Sequence, residues 1–245
     1  MEKINKHFGL NSLTLKIISM ICMLCDHMYA SIIPGNQWLN NIGRIAFPIF
    51  AFELVEGFFH THDFNKYLKR MFIMALITEI PFNLVAGGGI IYPFHQNVLF
   101  TFTIGLIVLK QIHNHKNDGQ LKYLMNIILW TMLGSLFATL TFVDYFGYGI
   151  LMIIVFYLAH ELPHSKIVML VGMVLVNGVL FEGLTVAFSI GNVLIEFPQQ
   201  AYACLALIPI FLYNGELGPH NKYIKWACYW FYPVHLLILG LIALI

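Results

Sequence analysis

The chain carries very little charge. Charged residues make up only 10% of its 245 residues, whereas soluble globular domains carry about 25%. Hydrophobic residues account for 59% of the chain, and its mean hydropathy is +0.77. The shortage of charge argues against a soluble globule and predicts a polytopic integral membrane protein.

The low net charge and the small number of cysteines argue against several other classes of protein. The net charge is only +1 and no basic patch is visible, which argues against a nucleic-acid partner. The four cysteines lie inside apolar runs and are interpreted as small buried hydrophobes, not as a disulfide framework. Cys22 and Cys25 have the spacing of a redox pair, but no strand-to-helix context accompanies them. The amino terminus lacks a small-residue cleavage site and is not a cleavable signal.

What the sequence has instead is a series of apolar stretches of a length suited to membrane helices. Turn-forming residues such as Pro34–Asn36 and Gly87–Gly89 separate them. We predict an all-α helical bundle that forms a single transmembrane domain over residues 1–245, with about nine spans and a range of eight to ten. The range reflects two short stretches and the interruption of the seventh by Asn177 and Glu182. The stretches fall near residues 13–33, 41–60, 66–86, 97–113, 122–140, 146–160, 166–188, 201–213 and 226–245.

Lysine and arginine alternate between the connecting segments. The amino terminus and the second, fourth, sixth and eighth loops contain them, and the odd-numbered loops contain none. By the positive-inside rule, the amino terminus and the even-numbered loops are cytoplasmic. The cations of these segments are Lys3, Lys6, Lys66, Lys69, Arg70, Lys110, Lys116, Lys122, Lys166, Lys222 and Lys225.

The first apolar stretch contains three ionisable residues, Lys16, Asp26 and His27. Ionisable groups inside a membrane helix are costly and indicate function by default. Lys16 and His27 lie eleven residues apart, so they share one helical face and are separated by roughly 16 Å along the axis. We therefore expect both to look into one cavity. Asp26 is offset by about 100° from His27 and should contact a different helix.

The second stretch places Arg44 near its outer end, followed by Glu53, Glu56 and His60 on one stripe. Unpaired charges are not stable in lipid, which predicts a contact between Asp26 and Arg44 and another between Lys16 and a glutamate. The simpler interpretation, that these ion pairs only hold helices together, stays open.

Further candidates occur along the rest of the chain. Lys69 and Arg70 begin the third stretch and form either a cytoplasmic anion site or contacts with lipid phosphates. A lone membrane histidine such as His235 is often only a hydrogen bond between helices, and a loop acid such as Asp144 is often a helix cap. The residues that we interpret as candidates for binding an acceptor substrate are Glu79, Asn97, Asp144, Tyr232 and His235.

Two kinds of chemistry fit these residues. His27 can act as a general base that deprotonates an acceptor hydroxyl or amine, and the separation from Lys16 suits a long thioester donor with an anionic end. Alternatively, Asp26, His27, Glu53, Glu56 and His60 could form the titratable relay of a proton- or cation-coupled transporter. A metal site at Glu53, Glu56, His60 and His235 is a third hypothesis, although its spacing matches no strong motif, and we expect no metal.

A further signal lies in six segments of the chain, LKIISMICMLCDHMYA, IGRIAFPIFAFELVEGFFHT, KYLKRMFIMALITEIPFNL, QNVLFTFTIGL, VDYFGYGIL and WFYPVHLLIL. Together they resemble the TraX family of membrane proteins, which is named for a conjugal-pilus protein that acetylates the amino terminus of pilin. The resemblance runs from about Leu15 to the carboxyl end. TraX proteins in turn resemble the acyltransferase 3 superfamily, whose members take acyl groups from cytoplasmic acyl-CoA.

The resemblance implies roles for individual residues. His27 matches the superfamily's catalytic histidine, and Lys16 stands where the superfamily has arginine, so it offers a point charge without the guanidinium fork. Lys69 and Arg70 match a basic motif and are candidates to contact the phosphates of CoA. Asp26, Arg44, Glu56 and Asn97 match TraX positions whose roles the superfamily does not define.

The sequence therefore predicts a membrane-bound acetyltransferase that uses acetyl-CoA. The expected catalytic residues are His27, Asp26 and Arg44, and the expected donor-binding residues are Lys16, Lys69, Arg70, Glu56 and His60. The acceptor is a membrane-associated or extracytoplasmic peptide amino terminus or glycan. The expected location is the plasma membrane of a bacterial-type cell, in contact with membrane lipid, and the oligomeric state stays open.

Overall fold

The structure, a computed structural model, describes residues 9–181, 183–190 and 193–244. Lys3, Lys6 and Glu182, which entered the predictions of topology and span count, lie outside the described residues. The described chain is mostly helical. Its α-helices are α1 (Ser12–Ser31), α2 (Gln37–Gly43), α3 (Ala46–His60), α4 (Phe64–Gly87), α5 (Val98–Asn114), α6 (Gln120–Leu140), α7 (Phe146–Glu161), α8 (Ser165–Val174), α9 (Leu207–Phe211) and α10 (Lys222–Ala243).

Short polar side chains determine where several helices begin. Asn11, Asp63, Asn97 and Asn221 precede α1, α4, α5 and α10, and each accepts a hydrogen bond from a backbone N–H of the first turn. Such caps satisfy N–H groups that have no partner within the helix. At the other end of α4, Gly88 has a φ of 65°, a left-handed conformation that glycine adopts without steric cost.

The helices pack into one bundle. α3 and α7 lie at its centre and bury most of their side chains, and α10 packs between α1 and α4. Leu and Ile side chains of α6 point outward, which suits a lipid-facing helix. Within the described residues, α1, α4, α6 and α10 are long and apolar enough to cross a membrane. The prediction of a membrane protein therefore agrees with the structure, whereas the count of about nine spans stays a prediction.

The predicted second helix is wrong as a continuous element. The chain forms α2 and α3 with a break at Arg44 and Ile45. Pro48 has no N–H to donate to the carbonyl of Arg44, four residues earlier, so the helical hydrogen-bond series cannot cross this point. Arg44 consequently lies at a turn between two helices.

Two predicted helices of the all-α bundle differ in the structure. The predicted seventh helix, 166–188, ends early: α8 passes into a π-helical segment, Leu175–Leu180, and the chain then forms an antiparallel hairpin of β1 (Thr185–Ile190) and β2 (Val193–Pro198). These strands are rich in Val, Ile, Phe and Thr, which favour extended backbone. The predicted eighth helix, 201–213, is a 3-10 helix, Gln199–Ala206, followed by the short α9.

A close contact joins α1 to α2. A Cβ atom at Gly43 would overlap the Asp26 side chain, so glycine is required for this approach. We expect Gly43→Ala to destabilise the protein by about 1–3 kcal/mol, the usual range for overpacking, and to lower the unfolding temperature in detergent. Gly89→Ala is the matched control, since a Cβ there meets open space. Equal unfolding temperatures for the two variants would contradict this packing.

Candidate active site

The carboxylate of Asp26 binds the guanidinium of Arg44. Arg44 Nη2 donates to Asp26 Oδ1 at 2.5 Å, and Arg44 Nε donates to the backbone carbonyl of Asn40 at 3.3 Å. The two charged side chains are 22% and 25% exposed. The predicted contact between α1 and the second apolar stretch is therefore present, and the break at Arg44 is where it forms.

His27 contacts a second histidine. Its Nδ1 lies 2.7 Å from Nε2 of His235 on α10, and His235 Nδ1 donates to the carbonyl of Phe231 at 2.6 Å. The ring of Tyr232 lies beside both imidazoles, with its centroid 5.9 Å from that of His27 and 5.8 Å from that of His235. The sequence did not reveal this pair, because 208 residues separate its members. The only signal was the presence of a lone histidine on each of two apolar helices.

A cavity of about 610 Å³ lies between α1, α3, α4, α5 and α10. Its volume is within the range of ligand-binding sites. One end is exposed and basic, since it combines the starts of α1, α4 and α10 with the end of α3. The cationic and imidazole side chains at that end are Lys16, His60, Arg70, His220 and Lys225.

The other end of the cavity is apolar. Met23, Phe102 and Tyr232 line it, and all three are buried. Tyr232 connects the cavity with the histidine pair, because its side chain lines the cavity and its ring packs beside that of His27. The prediction that Lys16 and His27 face one cavity is correct for Lys16 and wrong for His27, which does not line the cavity but lies next to its lining residue Tyr232.

Lys16 is held beside an acid at the basic end. Its Nζ lies 3.5 Å from Glu53 Oε1 and donates to Ser12 Oγ at 2.9 Å, while the Ser12 hydroxyl donates to the same Glu53 oxygen at 2.8 Å. The predicted contact of Lys16 with a glutamate is therefore present. The side chain of Lys16 is still 39% exposed, so part of its charge faces the cavity.

Not all of the predicted donor-binding residues lie together. Arg70 and His60 line the large cavity, but Lys69 is exposed outside its lining. Glu56 lines a separate pocket of about 380 Å³ with His160 and His164. The predicted stripe of Glu53, Glu56 and His60 is therefore divided between two cavities. Glu53 and His60 point in nearly the same direction from α3, whereas Glu56 is offset from Glu53 by about 60° around the helix axis.

Glu79 and Asn97 were predicted to bind an acceptor, and the structure brings them together. Asn97 Nδ2 donates to Glu79 Oε2 at 2.6 Å and to the carbonyl of Ala75 at 2.9 Å. This arrangement holds the start of α5 against α4. A role for either residue in acceptor binding stays a prediction.

Asp144 lies in the turn before α7 and contacts His95 in the loop before α5. His95 Nε2 donates to Asp144 Oδ1 at 3.3 Å, and the hydroxyl of Thr101 donates to the Asp144 carbonyl at 2.5 Å. Burial lowers the pKa of His95, but the hydrogen bond and the charge of Asp144 outweigh burial, so the pKa is raised above its ordinary value. Asp144 thus joins two connecting segments, and its proposed contact with an acceptor stays a prediction.

Sequence reasoning overlooked two residues at the basic end of the cavity. His220 was not considered, and Lys225 was used only to assign orientation. His220 lies in the segment just before α10 and Lys225 in the first turn of α10, and both line the cavity together with Lys16 and Arg70. The available signal was a pair of basic side chains next to the start of a membrane helix.

The alternative hypotheses receive less support from this geometry. Among the described residues, no group of three or more His, Cys, Asp and Glu side chains could hold a metal ion, and His235 contacts His27 instead of the acids of α3. A transporter relay would need connected titratable groups. Instead, Asp26 is paired with Arg44, Glu53 with Lys16, and Glu56 lies in another pocket.

The contact between Asp26 and Arg44 predicts coupled effects on stability. Arg44→Met leaves the Asp26 carboxylate without its cation and is expected to cost about 3–5 kcal/mol. The double variant Asp26→Leu/Arg44→Met should recover much of this loss, because it leaves no unpaired charge. Denaturant unfolding in detergent measures both.

The exposed cation Lys66 supplies the control. It is paired with Asp63 at the surface, where its side chain is 80% exposed, and Lys66→Met should leave stability almost unchanged. Additive losses in the Asp26/Arg44 double variant would show that the two groups are not energetically coupled.

Comparison with known proteins places the chain in a family. The probable fimbrial assembly protein FimC, serogroup H1, of Dichelobacter nodosus is 26% identical over 246 residues, which cover 96% of this chain and 96% of that protein. No solved structure matches the chain. The family model described as TraX protein matches residues 12–243. Because this match spans nearly the whole sequence, the resemblance is confirmed, and the chain belongs to the TraX family.

Proposed function

We propose that this chain is an integral membrane acetyltransferase that transfers an acetyl group from cytoplasmic acetyl-CoA to an amine or hydroxyl of a membrane-associated or extracytoplasmic acceptor. The observation that carries the proposal is the cavity, which has an exposed basic end and a buried apolar end next to the pair of His27 and His235. A long donor with an anionic head and a reactive tail fits that polarity.

The basic end suits the phosphates of CoA. Lys16, Arg70, His220 and Lys225 converge there from α1, α4 and the start of α10, and guanidinium and ammonium groups bind phosphate by charge-assisted hydrogen bonds. Lys16 and His27 are separated by eleven residues of α1, or roughly 16 Å. That length is comparable to an extended pantetheine arm, so the thioester reaches the neighbourhood of His27.

His27 acts as the general base in this proposal. The acceptor's nitrogen or oxygen forms a bond to the acetyl carbonyl carbon, the carbon–sulfur bond breaks, and Nε2 of His27 accepts the proton that the acceptor loses. The same nitrogen then returns the proton to the departing thiolate, which leaves as a free thiol. Arg44 and Asp26 hold α2 against α1 and thereby position His27.

The acceptor is proposed from the family. The relative from Dichelobacter nodosus is named a probable fimbrial assembly protein, which makes the amino terminus of a pilus or fimbrial subunit the first acceptor to test. A glycan hydroxyl is the second.

The finer topology belongs to the same proposal. We propose one transmembrane domain over residues 1–245 with about nine spans, a cytoplasmic amino terminus, a location in a bacterial plasma membrane and a distant relationship to the acyltransferase 3 superfamily. A cytoplasmic amino terminus brings the basic end of the cavity to the side from which acetyl-CoA enters, since α1 and α10 both begin at that end.

Thiol release tests the proposal directly. Purified protein in detergent, given acetyl-CoA and a pilin amino-terminal peptide or a glycan, should liberate free CoA, and His27→Ala should reduce turnover by about 100-fold or more. Unchanged turnover in that variant would refute the proposed base. Substrate-dependent proton flux in liposomes without any need for CoA would favour a transporter.

The position of the donor head is tested in the same assay. Arg70→Ala should raise the KM for acetyl-CoA several-fold, because Arg70 lines the cavity, and Lys69→Ala should raise it much less, because Lys69 lies outside the lining. Lys122→Ala, an exposed cation on α6, is the neutral control. If Lys69→Ala raised the KM for acetyl-CoA more than Arg70→Ala does, the donor head would bind outside this cavity.

A further inference from the structure

We propose that His235 is a positioning residue that fixes the tautomer of His27 and thereby leaves Nε2 of His27 as the free basic nitrogen. This inference rests on the proposed function, in which His27 is the general base. It follows from a chain of hydrogen bonds that begins at the backbone carbonyl of Phe231 and ends at His27.

Nδ1 of His235 lies 2.6 Å from the carbonyl oxygen of Phe231, and a carbonyl oxygen can only accept a hydrogen bond. Nδ1 of His235 therefore carries a proton. In a neutral imidazole one ring nitrogen donates and the other accepts, so Nε2 of a neutral His235 presents its lone pair.

Nε2 of His235 lies 2.7 Å from Nδ1 of His27. Since Nε2 of His235 presents a lone pair, Nδ1 of His27 must supply the proton of this hydrogen bond. The remaining nitrogen, Nε2 of His27, is then unprotonated and makes no hydrogen bond to the described residues. This is the protonation state that a general base requires.

The two rings are oriented for such a bond. Their centroids are 4.9 Å apart and their planes differ by 18°, and this separation is about the N···N distance plus two ring radii. The rings therefore lie nearly edge to edge in one plane, where the N–H bond and the lone pair of an imidazole point. The ring of Phe231, 4.7 Å from that of His235, helps to hold this orientation.

Both imidazoles are expected to be neutral in the resting protein. His235 is buried, and neither histidine forms a salt bridge within the described residues. The acid next to His27 in the sequence, Asp26, is engaged by Arg44. A buried positive charge without a counter-ion is costly, which favours the neutral pair and hence the tautomers described above.

The same contact assists the reaction. When Nε2 of His27 takes up the acceptor's proton, the bond from Nδ1 of His27 to His235 becomes charge-assisted and stronger. His235 thus does for His27 what the aspartate does for histidine in a Ser-His-Asp triad, which holds the tautomer and stabilises the imidazolium. Here the orienting acceptor is a neutral imidazole anchored to the backbone of α10.

Two substitutions of His235 separate orientation from packing. His235→Gln can place a side-chain oxygen near the position of Nε2 and still accept from His27, whereas His235→Phe keeps a ring but offers no acceptor. We expect kcat to fall by about 100-fold or more in His235→Phe, since loss of the correct tautomer in a triad costs about 10⁴-fold. We expect His235→Gln to stay within about tenfold of the parent.

The KM for acetyl-CoA should change little in either variant, because the basic end of the cavity is intact. His62→Gln, a change at an exposed histidine outside the cavity lining, is the matched control and should retain the parent kcat. A His235→Gln variant as inactive as His235→Phe, or a His235→Phe variant with parental kcat, would overturn the proposal.

¹⁵N NMR determines the tautomer of His27 and does not depend on catalytic activity. In protein labelled with ¹⁵N-histidine, the signals lost in His27→Ala identify His27, and they should show a proton on Nδ1 in the parent and in His235→Gln. In folded His235→Phe the proton should redistribute toward Nε2. A parent His27 protonated on Nε2 would overturn the assignment even if the variants lose activity.

The two proposals fail in distinguishable ways. If the unsubstituted protein releases no CoA with any acceptor, the proposed acetyl transfer is wrong, and the NMR signals alone decide the tautomer of His27. If His235→Phe does not fold, as judged by its unfolding temperature, the parent signals and the comparison with His235→Gln decide the proposal.

Discussion

The structure depends on one constraint, which is that the polar groups of α1 must find partners on other helices. α1 is apolar enough to cross a membrane, and ionisable groups at membrane depth are stable only when they are paired. Each such residue of α1 contacts a different part of the chain. The resulting contacts are Lys16 with Glu53 of α3, Asp26 with Arg44 at the break between α2 and α3, and His27 with His235 of α10.

These contacts determine where the cavity forms. α10 and α3 pack against α1, and α4 packs against α10 and completes the wall of the cavity. The starts of α1, α4 and α10 meet at one end, where the connecting segments are rich in cations, and apolar side chains fill the other end around Tyr232. A cavity with this polarity follows from ion pairing and chain direction, and it gives the proposed donor only one productive orientation.

Local features of the site could be predicted from the sequence, and long-range ones could not. Periodicity placed Asp26 away from His27, and the need to pair a buried carboxylate identified Arg44 as its partner. The contact of His27 with His235 was not predictable, because helical spacing says nothing about which face of α10 meets α1. The same limit applies to His220, which becomes part of the cavity only through the packing of the segment before α10.

The fold, like the site, could be predicted from the sequence only in part. The long helices α1, α4, α6 and α10 agree with the apolar stretches within a few residues, because length and composition determine them. The errors lie where local chemistry competes with hydropathy: Pro48 interrupts the helix at Arg44, and β-branched and aromatic residues after Leu180 form a hairpin. Hydropathy measures burial and cannot distinguish an apolar strand from an apolar helix.

We propose above that the cavity guides acetyl-CoA from its basic end toward His27. A cryo-electron microscopy structure of the protein with a non-hydrolysable acetyl-CoA analogue tests it most directly. We predict that the phosphates lie among Lys16, Arg70, His220 and Lys225 and that the acetyl group ends beside Tyr232 and Nε2 of His27. An analogue bound outside this cavity, or one whose acetyl end lies at the basic end, would contradict the proposed donor site.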